Sequence, residues 1–311
     1  MKQYGPVELA DLLPFPDPLC HKYSRGKLTL LVGSATYPGA ASLAALASQR
    51  AGAGYTAVYT EGSIVHQVQA YQPSLVVRSW SDWDTQYVAA SEPDRPCAYL
   101  VGSGFDDLDT YTSQLTRRLL KSADAPVLVD GGALNILSAK KIRDLTAQRY
   151  RRGQTTIVTP HMGEAARLAK IFNLKTTEPD EMALQLAQAY GVICVLKSHD
   201  TFISDGQEIL AMREGTAALA KAGTGDVLAG IIGGLLAQGM DAVDACVLGT
   251  TLHARAGVFA SDDLTEICVC AEDIIRYLPH AIKSLIKGKQ EEQVGEITES
   301  FGPDVTGTWS L

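Results

Sequence analysis

Short apolar runs alternate with longer segments of helical periodicity along most of this 311-residue chain. Continuous apolar runs without a polar face are typical of strands that a parallel sheet buries on both sides. The pattern predicts such strands at residues 28–32, 55–59, 75–77, 98–101, 126–129, 156–158 and 192–196. A hairpin of residues 201–204 and 208–212 is predicted around Asp205-Gly206. Helices are predicted at residues 39–52, 115–121, 163–172, 179–190, 225–238, 242–259 and 271–286.

The alternation of strands and helices predicts an α/β fold, in which helices cover both faces of a mainly parallel central sheet. Neither a linker nor an internal repeat interrupts residues 1–288, which we therefore interpret as one domain. Within it, the proline-rich residues 1–26 are predicted to be irregular. Residues 289–311 are polar and poorly periodic, so we expect a C-terminal tail that is loosely ordered or packed on a neighbouring subunit.

The chain is 46% hydrophobic and carries a formal net charge of −8. Because no basic cluster offsets this acidity, a nucleic-acid partner is not expected. No apolar run has the length of a membrane span, and the N-terminus lacks a secretory pattern, so neither a membrane nor export is expected. Six cysteines are scattered, and Cys268 and Cys270 lack the second ligand pair of a zinc site. We therefore expect reduced thiols and a cytoplasmic protein.

The most informative polar motif is Ala222-Gly223-Thr224-Gly225-Asp226, which directly precedes a long apolar helix. Glycines let backbone amides converge on an anion, and a helix N-terminus adds unpaired donors and a positive dipole end. A carboxylate here repels phosphate unless it has a task, such as accepting a proton from an attacking hydroxyl. The motif therefore predicts phosphoryl transfer to a small-molecule alcohol, with Asp226 as the catalytic base. The alternative is a glycine-rich turn in which Asp226 is only the helix N-cap.

Further polar motifs stand where predicted strands end. They are Gly33-Ser34, Gly102-Ser103-Gly104, Asp130-Gly131-Gly132, Thr159-Pro160-His161 and Lys197-Ser198-His199. In an open α/β sheet, ligands bind outside the carboxyl ends of the strands. Together with the turn at Asp226, these motifs predict one binding site along that edge of the sheet.

Taken in order, these motifs resemble the ADP/ATP-dependent NAD(P)H-hydrate dehydratases, a family of the ribokinase-like superfamily. The resemblance covers about residues 20–285. Its most discriminating element is Thr159-Pro160-His161-Met162-Gly163-Glu164, because the sugar and vitamin kinases of the superfamily lack it. The resemblance implies a ribokinase-like three-layer sandwich with a mainly parallel sheet.

The resemblance also implies a reaction and its participants. Family members use ADP or ATP, with Mg²⁺, to dehydrate the S epimer of hydrated NADH or NADPH, which repairs the cofactor. The resemblance implies a tetrameric assembly, so we expect a homotetramer. The alanine-rich helix at residues 39–52 permits close packing between subunits. A separate epimerase is expected in the same pathway.

Site residues follow from the same resemblance. The implied substrate contacts are Ala40, Gly104, His161 and Asp226, and the implied nucleotide contacts are Lys197, Ser198, His199, Asp200, Thr201, Gly223, Thr224 and Gly225. Glu164 is the candidate for positioning Mg²⁺. His161 and Glu164 also suit the first turn of a helix, as a cap and as an acidic residue at the positive dipole end. Lys197 is expected to bind nucleotide phosphate as a point charge, and the alternative is a solvated lysine at a strand end. Asp130, like Glu164, is open either to positioning Mg²⁺ or a water or to a structural role.

The chain departs from the family pattern at several positions. Ala222 and Ser198 replace glycines, Met162 replaces a proline, and Gly131-Gly132 replaces Ala-Asp. The missing aspartate at position 132 predicts weaker metal or substrate binding. Two other functions fit the same turn: a kinase of a small vitamin-precursor alcohol, and a nucleotide-binding sensor without turnover. Asp226 argues against the sensor, because a carboxylate beside phosphate only disfavours binding.

Overall fold

The computed structural model describes residues 4–106 and 109–301, with the backbone alone for residues 87 and 292–301. Its strands are β1 (Lys27–Leu31), β2 (Tyr55–Thr60), β3 (Val76–Ser79), β4 (Cys97–Val101), β5 (Val127–Val129), β6 (Thr156–Val158), β7 (Ile193–Lys197), β8 (Thr201–Ser204) and β9 (Ile209–Met212). In the described ranges they form one nine-stranded sheet of order β3-β2-β1-β4-β5-β6-β7-β8-β9. Strands β1 to β7 are parallel, and β8 and β9 extend the sheet as an antiparallel hairpin. The predicted strands and hairpin are confirmed.

Helices lie between and after these strands. They are α1 (Pro6–Asp11), α2 (Pro38–Arg50), α3 (Val65–Tyr71), α4 (Thr110–Ser122), α5 (Gly132–Ile136), α6 (Lys140–Arg151), α7 (Met162–Ile171), α8 (Pro179–Tyr190), α9 (Thr224–Ala237), α10 (Ala242–Leu264) and α11 (Ala271–Phe301). Every predicted helix is present, although α4 begins earlier and α10 and α11 end later than predicted. The prediction missed α1, α3, α5 and α6.

Two of the missed helices have a clear physical explanation. The buried face of α6 consists of Ile142, Thr146 and Arg149, which follow helical spacing but include only one apolar residue. A search for apolar periodicity therefore finds no amphipathic pattern there. Helix α1 lies in the proline-rich segment predicted to be irregular, and it begins at Pro6, a residue that the first helical turn tolerates well.

The side chains of the central strands alternate between two hydrophobic cores on opposite faces of the sheet. In β1, Leu28 and Leu30 join the core beneath α2, α9, α10 and α11, whereas Leu31 joins the core beneath α4, α7 and α8. Burial on both faces is the reason why the strands read as continuous apolar runs. The arrangement is the three-layer α/β sandwich that the sequence predicts.

Helices α2 and α9 pack against each other at very short range. A Cβ atom at Gly230 would lie 2.2 Å from the Ala44 carbonyl oxygen, and one at Gly234 would lie 2.7 Å from the Ser48 carbonyl oxygen. Small residues on both helices are therefore required for this approach. The alanines of α2, whose role in subunit packing was open, bury themselves against α9 within the chain.

The buried guanidinium of Arg149 holds the amino ends of β5 and β6 together. It donates to the carbonyl oxygens of Ala125 (3.0 Å) and Thr155 (2.9 Å) and to the Thr156 hydroxyl (2.9 Å). Burial lowers the pKa of Arg149 to about 10, so the group remains charged at neutral pH. Because these strands are anchored at their amino ends, the positions of Asp130 and Thr159, which follow their carboxyl ends, are fixed relative to each other.

Helix α11 continues through the start of the predicted C-terminal tail and ends at Phe301. Lys289 forms an ion pair with Asp11 of α1, so the first residue of that tail contacts the body of the protein. Residues 302–311 lie outside the described residues, and the division at residue 288 stays a prediction. Within the described ranges, no helix combines the length and hydropathy needed to cross a bilayer.

Candidate active site

The polar motifs that follow β4, β5, β6 and β7 meet at one edge of the sheet, around the carboxylate of Asp130. It accepts hydrogen bonds from Ser103 Oγ (2.8 Å), Thr159 Oγ1 (2.6 Å) and Lys197 Nζ (3.2 Å). Asp130 is only 3% exposed, so these donors replace water around a buried charge. The predicted convergence of strand-end residues is confirmed for these four strands.

Lys197 lies at the centre of a group of carboxylates. Its side chain is 22% exposed and forms an ion pair with Asp130. Burial lowers the pKa of Lys197, but the charges of Asp130, Glu164 and Asp226 outweigh this effect and raise it above its ordinary value. Lys197 is therefore a fixed ammonium group, and its interpretation as a solvated strand-end lysine is wrong.

The turn before α9 forms an anion site with Lys197. Gly223 has a left-handed conformation (φ 93°) and is the N-cap of α9, without a side-chain hydrogen bond. Asp226 lies in the first turn, so the alternative in which it is the N-cap is wrong. A Cβ atom at Gly225 would lie 3.4 Å from Lys197 Nζ, which places an ammonium group directly beside the first turn of the helix.

Asp226 lies beside this anion site in a half-buried position. Burial raises the pKa of its carboxyl group to about 7, and the charge of Asp130 adds to this effect, while Lys197 and a hydrogen bond with Ser103 act in the opposite direction. A carboxyl group with this pKa exchanges a proton readily near neutral pH, as a general base requires.

His161 and Glu164 form a capping box at the start of α7. His161 Nδ1 accepts from the amides of Gly163 (3.0 Å) and Glu164 (3.4 Å), and Glu164 Oε2 accepts from the His161 amide (2.8 Å). The capping role that the sequence left open is thus present in both residues. His161 also lines the cavity described next, so one role does not remove the other.

A cavity of about 740 Å³ opens beside the anion site. Of the predicted nucleotide residues it includes Lys197, Ser198, His199, Thr201, Thr224 and Gly225 in its lining. Asp200 lies outside the lining and pairs with His199 (3.5 Å) and Arg213 (3.7 Å). Gly223 also lies outside the lining. A Cβ atom there would meet Leu43 Cδ1 at 2.8 Å.

The other predicted substrate residues adjoin each other away from this cavity. A Cβ atom at Gly104 would lie 2.6 Å from Ala40 Cβ and 2.9 Å from the Tyr37 carbonyl oxygen. Gly104 directly follows Ser103, which links this corner to Asp130. The structure therefore brings Ala40 and Gly104 together and places His161 with the nucleotide residues.

Several residues of the site had no assigned role in the sequence analysis. Ser103, Asp130 and Thr159 form the buried cluster, and their strand-end positions were the available signal. His253 of α10 lines the cavity, with Nε2 3.0 Å from the Thr224 carbonyl oxygen. Burial lowers the pKa of His253 to about 4, so this ring is neutral at physiological pH. The loop of residues 213–221 forms much of the cavity wall and was not predicted as part of the site.

The departure from the family pattern at position 132 has a steric basis. A Cβ atom at Gly132 would lie 2.4 Å from the Phe105 carbonyl oxygen and 2.9 Å from Phe105 Cβ. The backbone around Phe105 thus occupies the space that a side chain at position 132 needs. No group of three or more His, Cys, Asp or Glu residues that suits a metal ion occurs in the part of the chain that the structure describes.

Comparison with known proteins identifies the family. A family model described as NAD(P)H-hydrate dehydratase matches residues 28–280. The bifunctional NAD(P)H-hydrate repair enzyme Nnr of Vibrio cholerae is 34% identical over 269 residues, which cover 86% of this chain and 51% of that protein. The ADP-dependent (S)-NAD(P)H-hydrate dehydratase of Neisseria meningitidis is 36% identical over 241 residues, which cover 76% of this chain and 77% of that protein. The chain spans about half the length of the bifunctional relatives that it matches.

Solved structures agree with these sequence matches. The ADP/ATP-dependent NAD(P)H-hydrate dehydratase of Bacillus subtilis, co-crystallized with ATP/Mg²⁺, has a TM-score of 0.75 at 27% identity, covering 91% of this chain and 98% of that chain. Ribokinase of Thermotoga maritima, at 13% identity and a TM-score of 0.52, covers 81% of this chain and 98% of its own and shares the fold alone. The predicted ribokinase-like sandwich is thus confirmed, and the chain belongs to the NAD(P)H-hydrate dehydratase family.

Proposed function

We propose that this chain dehydrates the S epimer of hydrated NADH or NADPH, in a reaction driven by ADP or ATP that releases phosphate and AMP or ADP. The observation that carries the proposal is the position of Asp226. Its carboxyl group, with a pKa raised to about 7 by burial and by Asp130, stands beside an anion site built from Lys197 and the N-terminus of α9. That combination serves the transfer of a phosphoryl group to a hydroxyl.

The mechanism follows from these positions. Asp226 accepts the proton of the hydroxyl on the hydrated ring as the oxygen attacks the terminal phosphorus of the nucleotide. The amides of Gly223 and Gly225, with Lys197, stabilise the charge that develops on the transferred group. Phosphorylation turns a poor leaving group into a good one. The lone pair of the ring nitrogen then expels phosphate, and loss of a ring proton restores the dihydropyridine.

The Mg²⁺ ion of this proposal would be held chiefly by the nucleotide. Mg²⁺ is usually bound through one or two carboxylates together with substrate phosphates, and it neutralises their charge. Glu164 offers a carboxylate near Lys197, which is the type of donor that Mg²⁺ prefers, so this residue fits the ion. The relative from Bacillus subtilis was co-crystallized with ATP/Mg²⁺.

Three parts of the proposal concern the setting of the reaction. We place the protein in the cytoplasm and expect it to act as a homotetramer. We also expect an epimerase in the same pathway, because only one epimer of the hydrate is the substrate. Two relatives support this expectation. The Vibrio cholerae protein is named a bifunctional repair enzyme, which indicates a second activity, and the Neisseria meningitidis protein is named for the S epimer.

The test is the recovery of dihydronicotinamide absorbance when the protein is mixed with Mg²⁺ and hydrated NADH, with ADP, with ATP and with neither. A rise that requires nucleotide supports the proposal and identifies the nucleotide. Asp226→Asn should reduce the rate by about two to four orders of magnitude, because it removes the general base. A folded protein that gives no rise with either nucleotide contradicts the proposal. Mass spectrometry of the same mixtures would reveal a stable phosphorylated product, which would indicate a kinase instead.

A further inference from the structure

We propose that Asp130 is a positioning residue for Asp226. It binds the Lys197 ammonium and the Ser103 hydroxyl, and because that hydroxyl has a single proton to donate, Asp130 competes with Asp226 for the same two donors. The inference deepens the proposed function, since it rests on Asp226 as the base, but its central test needs no turnover.

The geometry around Asp130 shows why it has this control. Its Oδ1 accepts from Thr159 Oγ1 (2.6 Å) and Lys197 Nζ (3.2 Å), and its Oδ2 accepts from Ser103 Oγ (2.8 Å). The three donors come from the ends of three different strands, so one carboxylate fixes their positions relative to each other. Ser103 is fully buried, and it therefore has no water to compete for its hydroxyl.

Two of these donors also act on Asp226. The Lys197 charge and a hydrogen bond with Ser103 both lower the pKa of Asp226, whereas burial and the Asp130 charge raise it. The remaining titratable groups nearby act less directly: Glu164 of α7 acts on Lys197, and His253 of α10 is neutral and bound to Thr224. Asp130 thus acts on Asp226 in two ways: its own charge raises the pKa of Asp226, and it binds the two groups that lower this pKa.

This arrangement predicts opposite effects for two substitutions. Asp130→Asn removes a negative charge near Asp226 and leaves Lys197 without its ion-pair partner, and both changes stabilise the Asp226 anion. The pKa of Asp226 should therefore fall, by about one unit or more, as is usual when a nearby like charge is removed. Ser103→Ala removes a hydrogen bond to Asp226, so the same pKa should rise. A purely structural role would not move the two variants in opposite directions.

The experiment is a pH titration of the carboxyl carbons in protein labelled with ¹³C-aspartate. The Asp226 signal is identified by its absence in Asp226→Asn. Wild-type protein should titrate near pH 7, Asp130→Asn at lower pH and Ser103→Ala at higher pH. Asp124→Asn is the matched control, because it removes an exposed carboxylate near the amino end of β5 and should leave the Asp226 midpoint unchanged. The acid limb of the kcat/KM profile should move with each midpoint.

The outcomes separate this inference from the proposed function. If the midpoints shift as expected but no dehydration occurs, the inference stands and the proposed function fails. If Asp130→Asn folds and its Asp226 midpoint matches that of the wild type, the inference is overturned. A Ser103→Ala midpoint that is unchanged or lower overturns it as well, because Ser103 is then not a donor that Asp130 and Asp226 share, and this second variant decides the question if Asp130→Asn does not fold.

Discussion

The carboxyl group of Asp226 illustrates a conflict between function and stability in a single residue. Its pKa is raised from 3.8 to about 7 in the folded protein, first by burial and then by Asp130. Between those pH values the folded chain holds a proton that the unfolded chain has lost. The stability contributed by this group therefore falls as the pH rises from about 4 to about 7, and the loss is complete above that range.

Asp226→Asn should accordingly be more stable than the wild type at pH 8, because an amide at this position never has to ionise. The gain should amount to a few kcal/mol, since each pKa unit corresponds to about 1.4 kcal/mol, and it should shrink as the pH approaches 5. Urea denaturation of both proteins at pH 8 and pH 5 measures the difference, with Asp124→Asn as the control for loss of an exposed carboxylate. Equal stabilities at pH 8 would contradict the prediction.

The comparison between variants is essential because His253 has the opposite dependence. Burial lowers its pKa from 6.5 to about 4, so its contribution to stability is present above pH 6.5 and is lost as the pH falls toward 4. In the wild-type profile the effects of His253 and Asp226 partly cancel. Since both proteins contain His253, the difference between them isolates Asp226.

At the residue scale, the sequence identified the chemical groups better than their surroundings. Asp226 was assigned from its type and position and Lys197 from the family resemblance, and in the structure the two side chains lie close enough for their charges to act on each other. Asp130 remained ambiguous, because a strand-end aspartate gives no sign of which donors surround it. The three donors come from residues 27 to 67 positions away along the chain, a relation that only the folded sheet creates.

At the scale of elements, the pairing of α2 with α9 depends on the absence of side chains at specific positions. Gly230 and Gly234 face the backbone of α2 at distances that no Cβ atom tolerates. Because α9 carries the anion site at its N-terminus and α2 carries Ala40, this contact also sets the separation of the predicted nucleotide and substrate residues. The close approach is thus part of the site's construction as well as of the core.

Gly230→Ala should destabilise the protein by about 1–3 kcal/mol, because the added methyl group meets the Ala44 carbonyl at 2.2 Å and forces the helices apart. Gly39→Ala is the control: a Cβ atom there meets nothing within 4 Å, and alanine favours a helix by about 1 kcal/mol. Chemical denaturation of the two variants should therefore shift the free energy of unfolding in opposite directions. Similar losses in both would refute the proposed contact.

Two of the helices that the sequence analysis missed have identifiable reasons: α6 has a polar buried face, and α1 begins within a proline-rich segment. Helix α6 is missed because Thr146 and Arg149 occupy buried positions that a pattern search expects to be apolar. Arg149 is tolerated there because five donors of its guanidinium group find carbonyl and hydroxyl partners supplied by neighbouring elements. Those partners cannot be read from the sequence of α6 itself.

At the scale of the whole molecule, the cavity beside the anion site brings together distant parts of the chain. Its wall includes residues after β6 and β7, the loop of residues 213–221, and His253 of α10. Lys221 fastens that loop by donating to the carbonyl oxygens of Ile267 (2.7 Å) and Val269 (2.5 Å). A ligand in this cavity would therefore connect several elements and stabilise the whole fold.

ADP or ATP with Mg²⁺ should consequently raise the thermal midpoint of unfolding. At a concentration 100 times the Kd, binding to the folded state alone contributes about 2.7 kcal/mol. Lys197→Met should lose most of this gain, because it removes the ammonium group beside the Gly225 amide. Lys287→Met, which changes an exposed lysine of α11, should keep it. A thermal shift in Lys197→Met equal to that of the wild type would show that the nucleotide phosphates bind elsewhere.

The sequence by itself determined the α/β class, the strands and most of the larger helices, and the residue types of the candidate anion site. These features are local: apolar runs mark buried strands, and the Gly-Thr-Gly-Asp turn marks the start of α9. Only the tertiary structure decided which strand-end residues meet, that Asp130 organises them, and that Asp226 is buried enough to hold a proton near neutral pH. Burial and charge pairing are properties of groups assembled in space, so residues far apart in the sequence acquire them only when the chain folds.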